Sequence, residues 1–256
     1  MNLFDSHCHL ENGRFEDDLP EVMNRMKEAG VNRCILAGSD METSEQIVTL
    51  AKAHENVYGV VGIHPHDAKT WTDDCADRIA EWVKEARIVG VGEIGLDYYY
   101  DHSPRDVQQE VFVKQLLLAR ELDQPAVFHV RDAHGDVLSI LRAYRSELPA
   151  GVVHCYSGSV ESAKILVGLG FYISFAGPVT FKNANTALDV IKYVPEDRML
   201  IETDSPYLAP VPYRGKTNTP VYVAEVAKKI AEIKKKSFEE IAGITFENAK
   251  KVYEIK

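Results

Sequence analysis

Short runs of Val, Ile, Leu and Phe alternate with longer stretches whose apolar residues recur every three to four positions, from the first residues to about residue 204. The short runs predict eight strands, at 3–7, 32–37, 57–63, 89–94, 126–130, 152–155, 172–175 and 199–202. Among the helical stretches, 104–122 carries Val111, Leu118 and Leu122 on one stripe, with Glu110, Lys114 and Glu121 elsewhere. Near-continuously apolar strands imply burial on both faces, the mark of a parallel sheet covered by helices. Eight such units of about 32 residues predict an α/β fold, a (β/α)8 TIM barrel. A doubly wound open sheet is the rival, but no GxGxxG turn follows the first strand. No linker, repeat or low-complexity segment divides the chain, which therefore reads as one domain over 1–256. Two extra helices, 221–236 and 238–254, are expected to close the barrel's outside.

Composition narrows the class. With 45% hydrophobic and 27% charged residues the chain is no disordered segment. No apolar run approaches the ~18 residues of a membrane span, and the first residues lack the basic and apolar regions of a signal peptide, so a cytoplasmic protein without membrane contact is expected. Cys8, Cys34, Cys75 and Cys155 are far apart and form no CxxC pair, which predicts reduced thiols and no zinc cysteine. A net charge of −10 speaks against a protein that coats nucleic acid. The five lysines between 228 and 236 fit a solvated helix face.

The polar residues that break the strand pattern collect at the strands' C-terminal ends, where the active site of this fold lies. Strand one ends in Asp5, His7 and His9, which simple alternation would point the same way. The third ends in His64 and His66, the fourth in Glu93 and Asp97, the fifth in His129 and Arg131, the sixth in His154 and Tyr156, the eighth in Glu202 and Asp204. Singly, each has an ordinary structural explanation: a hydrogen-bonded histidine, or an acid opening the next helix. Together, four imidazoles and two carboxylates in one mouth need a cation. His7, His9, Glu93, His129, His154 and Asp204 are too many donors for one closed zinc site, and suit two divalent ions bridged by Glu93 and a water. Two ions against two carboxylates leave the centre near +2, attractive to phosphate.

The other histidines carry less weight. His64 is a candidate for a catalytic or substrate-orienting role without metal ligation; His66 is a loop residue; His134 either touches substrate or starts its helix; His54 and His102 are expected on the surface. Tyr156 and Arg131 are candidates for holding phosphate, with Glu202 as an alternative partner for Arg131. Cys8 and Cys155 alternate away from the ligands as packed thiols.

The segments FDSHCHL, GIHPHDA, VGEIGLDYYYD, FHVRDA, VHCYSG, ISFAGPVTF and ETDSPYLAPVPYRGK resemble, in order and spacing, the signature segments of the TatD family of metal-dependent deoxyribonucleases. The resemblance spans residue 3 to about 220. It implies an amidohydrolase-like barrel in which His7, His9, Glu93 and Asp204 bind one metal while Glu93, His129 and His154 bind the other. It also implies nuclease activity, commonly from the 3′ end of single-stranded DNA, with Mg²⁺ in function. One segment departs from the family: where RGKRNEP is usual, this chain has Thr217 and Thr219 in place of Arg and Glu. Arg214 and Lys216 remain as candidate phosphate contacts. On this basis Asp204 is the expected general base, Glu93 the bridging ligand and His64 the phosphate-orienting group. Imidazole ligands favour Zn²⁺ or Ni²⁺ as purified, with Mg²⁺ or Mn²⁺ at work. The expected partner is DNA, with no obligate protein partner. The alternative keeps the two-ion barrel and changes the bond to an ester, lactone or amide of a small molecule or an aminoacyl-tRNA.

Overall fold

A computed structural model describes residues 2–11, 13–15 and 18–256. Its strands are β1 (Leu3–Cys8), β2 (Val31–Ala37), β3 (Val57–Val61), β4 (Ile88–Asp97), β5 (Ala126–Arg131), β6 (Gly151–Val153), β7 (Tyr172–Phe175) and β8 (Met199–Ile201). They form one sheet in sequence order, every neighbouring pair parallel. Between them run α1 (Leu19–Glu28), α2 (Met41–Ala53), α3 (Asp73–Trp82), α4 (Arg105–Glu121), α5 (His134–Ala143), α6 (Val160–Gly168) and α7 (Asn185–Tyr193); α8 (Val223–Lys234) and α9 (Phe238–Val252) follow β8. This is the expected (β/α)8 barrel. Side chains and loop amides tie the seam between β8 and β1: Ser6 donates to the Ile201 carbonyl at 3.0 Å, and the Asp204 N–H to the His7 carbonyl at 2.9 Å.

Alternation along the strands builds two apolar layers. Phe4, Ile35, Val60, Val89, Val127, Val152, Tyr172 and Leu200, one from each strand, pack together and therefore fill the barrel. Their neighbours, such as Leu3, Cys34, Ile88, Phe128, Ile173 and Ile201, face the helices. Among the described residues no helix is long and apolar enough to cross a membrane.

Three expectations change. β4 runs longer than its apolar run, reaching Asp97, while β6 and β8 stop after three residues, so His154 and Glu202 stand just beyond their strands. The buried stripe of α4 is Gln108, Val111, Phe112, Gln115, Leu116 and Ala119, with Leu118 and Leu122 only partly buried. Two glutamines turn inward because their amides satisfy backbone: Gln108 receives the Asp97 N–H and donates to Ser103, and Gln115 does the same for both polar groups of Ile63. Finally, α8 lies against the outside, but α9 does so only in part, through Ile241 and Ala242. Phe246, Ala249 and Val252 of α9, with Tyr253 and Ile255, pack on the barrel's interior residues and seal the end opposite the mouth. Amphipathic periodicity announces a buried stripe but not the surface that buries it.

Candidate metal centre

β1 does not keep simple alternation. Its register against β2 shifts between Asp5 and Cys8, where an extra residue re-aims the strand. His7 and His9 thus turn to the mouth, while Cys8 packs outward and donates its thiol to the Ile35 carbonyl. Asp5 parts from them, contrary to the alternation argument: its carboxylate takes the Thr203 N–H and hydroxyl at the seam. With no cation among these partners, burial pushes the Asp5 carboxyl well above the usual range.

Glu93 stands at the middle of the centre, and its two oxygens face different histidines. Oε2 lies 3.3 Å from His7 Nε2 and 4.0 Å from His9 Nε2. Oε1 lies 2.8 Å from His129 Nδ1 and 2.7 Å from His154 Nε2. Asp204 completes the first group, its Oδ1 3.8 Å from His7 Nε2 and 3.5 Å from His9 Nε2. Gly95, at φ 141°, permits this closeness, since a Cβ there would collide with the His129 carbonyl of the neighbouring strand.

The donor set fits cations. Atoms tetrahedrally arranged at ~2.0–2.1 Å from one ion are ~3.3 Å apart, and His7 Nε2 to His9 Nε2 is 3.3 Å, His129 Nδ1 to His154 Nε2 3.2 Å. Hydrogen bonds alone do not explain this packing. His7 Nε2 faces an imidazole nitrogen and two carboxylates, and one N–H can serve only one of them.

Behind three of the histidines stands a carboxylate on the second ring nitrogen. Glu11 is 3.2 Å from His9 Nδ1, Asp97 3.0 Å from His129 Nε2 and Glu202 3.3 Å from His154 Nδ1. Such partners fix the tautomer and ring orientation of metal ligands. Two are themselves held: Asp97 accepts the N–H groups of Tyr99 and Tyr100, and Glu202 that of Cys155. Spacing along the chain gives none of these three a metal-supporting role, because an acid after a strand looks the same as a helix-capping one. They also revise the expected charge. With Glu11, Asp97 and Glu202 added to Glu93 and Asp204, five carboxylates would leave two divalent ions with a net charge of about −1, not near +2.

The charges steady one another. Burial raises the Glu93 carboxyl, but His154, His7 and His64 more than offset this and hold it well below the usual range. Burial likewise opposes ionisation of Asp204, and the His9 hydrogen bond with the nearby histidines outweighs it. For His9, His129 and His154 burial works against the proton, yet their carboxylate partners raise all three. His64 is the exception: burial, then repulsion from His129, hold it well below the ordinary imidazole value.

A cavity of about 530 Å³ opens over the centre, lined among others by His9, His64, His66, Glu93, His129, Arg131, His154, Asp204 and Tyr207. His64 Nε2 reaches within 3.6 Å of Glu93. His66 is drawn in by Asp97 at 3.0 Å, and His102, expected on the plain surface, is exposed yet lines the mouth beside it. Arg131 stands on the rim over Tyr99 and Tyr100 and forms no salt bridge with Glu202, which is committed to His154. Tyr156 does not reach the cavity: its hydroxyl donates to the Ser159 carbonyl at 2.7 Å and its ring packs on His134. His134 thus sits behind the mouth. Arg214 and Lys216 lie outside the lining, over Phe181 and Tyr213. Cys155 is half-buried, with Asp204, Glu202 and Glu93 near enough to help burial raise its thiol, so it is less remote from the centre than alternation implies. At the departure from the usual RGKRNEP, Asn218 braces the loop by donating to the carbonyls of Thr203 and Tyr207, and buried Thr219 donates its N–H back to Asn218.

The chain is similar to known proteins along nearly its whole length. A family model described as TatD related DNase matches residues 4–254. A Bacillus subtilis (strain 168) protein named uncharacterized metal-dependent hydrolase YabD is 45% identical over 253 residues, 99% of each chain. A Pectobacterium parmentieri (strain WPP163) protein named 3'-5' ssDNA/RNA exonuclease TatD is 34% identical, covering 99% of this chain and 100% of its own. The crystal structure of YJJV, a TatD homologue from Escherichia coli K12, superposes with a TM-score of 0.93 at 29% identity, over 99% of this chain and 98% of that one.

Proposed function

This chain belongs to the TatD family of metal-dependent hydrolases, and we propose that it cleaves phosphodiester bonds of nucleic acid in the cytoplasm, working from the 3′ end of single-stranded DNA. The observation that carries this reading is Glu93, whose Oε2 turns to His7 and His9 and whose Oε1 turns to His129 and His154, as a carboxylate shared by two ions would. The name of the Pectobacterium relative supports the substrate and direction.

Two divalent ions held on either side of Glu93 would polarise a phosphoryl oxygen and bring the pKa of water at the site toward neutrality. His7, His9 and Asp204 would hold one, His129 and His154 the other. Asp204, its side chain 14% exposed where Glu93 is only 4%, meets the open cavity and takes the proton of the attacking water. His64, kept neutral by burial and by His129, orients the phosphate through a hydrogen bond. Arg131 supplies the positive charge that the surrounding carboxylates do not. Arg214 and Lys216 serve phosphates further along the strand. The imidazole-rich set suits Zn²⁺ or Ni²⁺ as purified, with Mg²⁺ or Mn²⁺ in turnover.

The test strips the protein of metal and offers 3′- and 5′-labelled single- and double-stranded DNA and RNA, with Mg²⁺, Mn²⁺ or Zn²⁺ restored. Chelator-sensitive shortening of single strands from the 3′ end is expected. Turnover of lactones or carboxylic esters with no cleavage of any oligonucleotide would reverse the assignment.

A further inference from the structure

The Tyr98-Tyr99-Tyr100 run after β4 has no task in the hydrolysis itself, yet it supplies two of the most exposed aromatic rings among the described residues. Tyr99 is 58% and Tyr100 49% exposed. An apolar ring in water needs a reason, and clustered exposed rings at a cavity mark a binding surface. The Arg131 guanidinium lies 4.0 Å from the centre of the Tyr99 ring and 4.8 Å from that of Tyr100, and forms no salt bridge among the described residues. The two rings stand perpendicular, 4.8 Å apart, and Tyr100 lies parallel to the His102 ring at 5.4 Å.

This group is locked to the reaction centre. Asp97 accepts the N–H groups of Tyr99 and Tyr100 on one oxygen, at 3.0 and 2.9 Å, and the rings of His129 and His66 on the other. Arg131 follows His129 by two residues on the same strand face. The aromatic rings are thus held at a fixed offset from the Glu93 centre, with an uncommitted cation among them.

Resting on the nuclease reading above, we propose that Tyr99 and Tyr100 form a corner shelf in which one unpaired nucleobase stacks on the face of one ring and abuts the other, beside the phosphodiester that Arg131 and the Glu93 centre engage. The pairing of ring and guanidinium matches the alternation of base and phosphate in a single strand. A base inside a duplex is already stacked on its neighbours and has no face to offer, so the shelf selects frayed or single-stranded ends. Every base has a π-face, so the selection is by strandedness and not by sequence.

The test is a cycle between ring and base, read as KM on a labelled single-stranded oligonucleotide with Mn²⁺ present. One substrate is intact, and another is abasic at its three 3′-terminal nucleotides. The proteins are the unmodified chain, Tyr99→Leu/Tyr100→Leu and Tyr99→Phe/Tyr100→Phe. Loss of stacking is expected to raise KM roughly tenfold for the leucine variant on the intact strand, and as much for the unmodified protein on the abasic one. The two losses should not multiply when combined, and the phenylalanine variant should stay within about twofold of the parent. An unchanged KM in the leucine variant, or losses that multiply, would overturn the shelf while leaving the nuclease reading intact. If the unmodified protein cleaves no oligonucleotide but hydrolyses another ester with Mn²⁺, the nuclease reading fails, and the shelf fails with it.

Discussion

The two halves of the centre share Glu93 but are braced unequally. On the β1–β8 side, His7, His9 and Asp204 are joined through loop amides, one carboxylate, Glu11, stands behind His9, and buried His7 Nδ1 has no hydrogen-bond partner among the described residues. On the β5–β6 side, His129 and His154 each have a fully buried carboxylate behind them, and backbone N–H groups fix both acids. Ligands held in place before an ion arrives lose less freedom on binding it. On the two-ion reading proposed above, the second half would therefore keep its ion, and the first, which carries the more open Asp204, would meet water and substrate.

The sharpest way to break this division is at the shared residue. Glu93→Gln removes a charge and leaves one side of the group with an NH2 that cannot ligate. Both halves fail together, and activity is expected to drop beyond the ~10²–10⁴-fold typical of losing one acid–base group. Metal content after dialysis should fall at both sites. A variant that keeps one ion at unchanged affinity would show that Glu93 is not shared.

Asp204→Asn separates the halves. Activity should fall by about 10²–10⁴-fold with the loss of the proton acceptor, while the second half keeps its ion. Metal analysis should then give close to one retained equivalent. Loss of both ions would mean that the halves are not independent.

How much of this division is legible in the sequence depends on what each residue must do. The candidate ligands His7, His9, Glu93, His129, His154 and Asp204 stand out because imidazoles and acids interrupt apolar strands at the ends that meet in a barrel. Glu11, Asp97 and Glu202 do not stand out, since their meaning lies in contacts across strands that spacing along one strand cannot reveal. The same holds for Gln108 and Gln115, polar letters on a buried helix face whose partners are backbone groups of other elements. The apolar periodicity of α9 was visible, but its seat beneath the barrel depends on the shape of the cavity left by eight strands. The register shift in β1 leaves no compositional mark, and it alone separates Asp5 from His7 and His9.

The bracing itself is open to test on each side. Asp97→Asn keeps the shape and removes the charge behind His129, so metal affinity of the second half should fall about 10–100-fold. Glu11→Gln should cost the first half less, because Glu11 touches His9 only and no second histidine. Calorimetric titration of metal-stripped variants reads both constants. Equal losses would remove the asymmetry.

The smallest effect is a difference of slope with pH. His9 in the first half, and His129 and His154 in the second, hold their protons above the ordinary imidazole range because carboxylates face them despite burial. Metal ligation needs the nitrogen free, so each ion must displace these protons. Apparent affinity therefore rises with pH until the raised values are passed and flattens above them. The gain approaches about tenfold per pH unit for each proton released. The half with two raised histidines should show the steeper climb as pH rises from the ordinary imidazole range toward their raised values, measured on Asp204→Asn to isolate it. A slope no steeper than that of the first ion would mean that one proton, passed between His129 and His154 across their 3.2 Å contact, serves both rings.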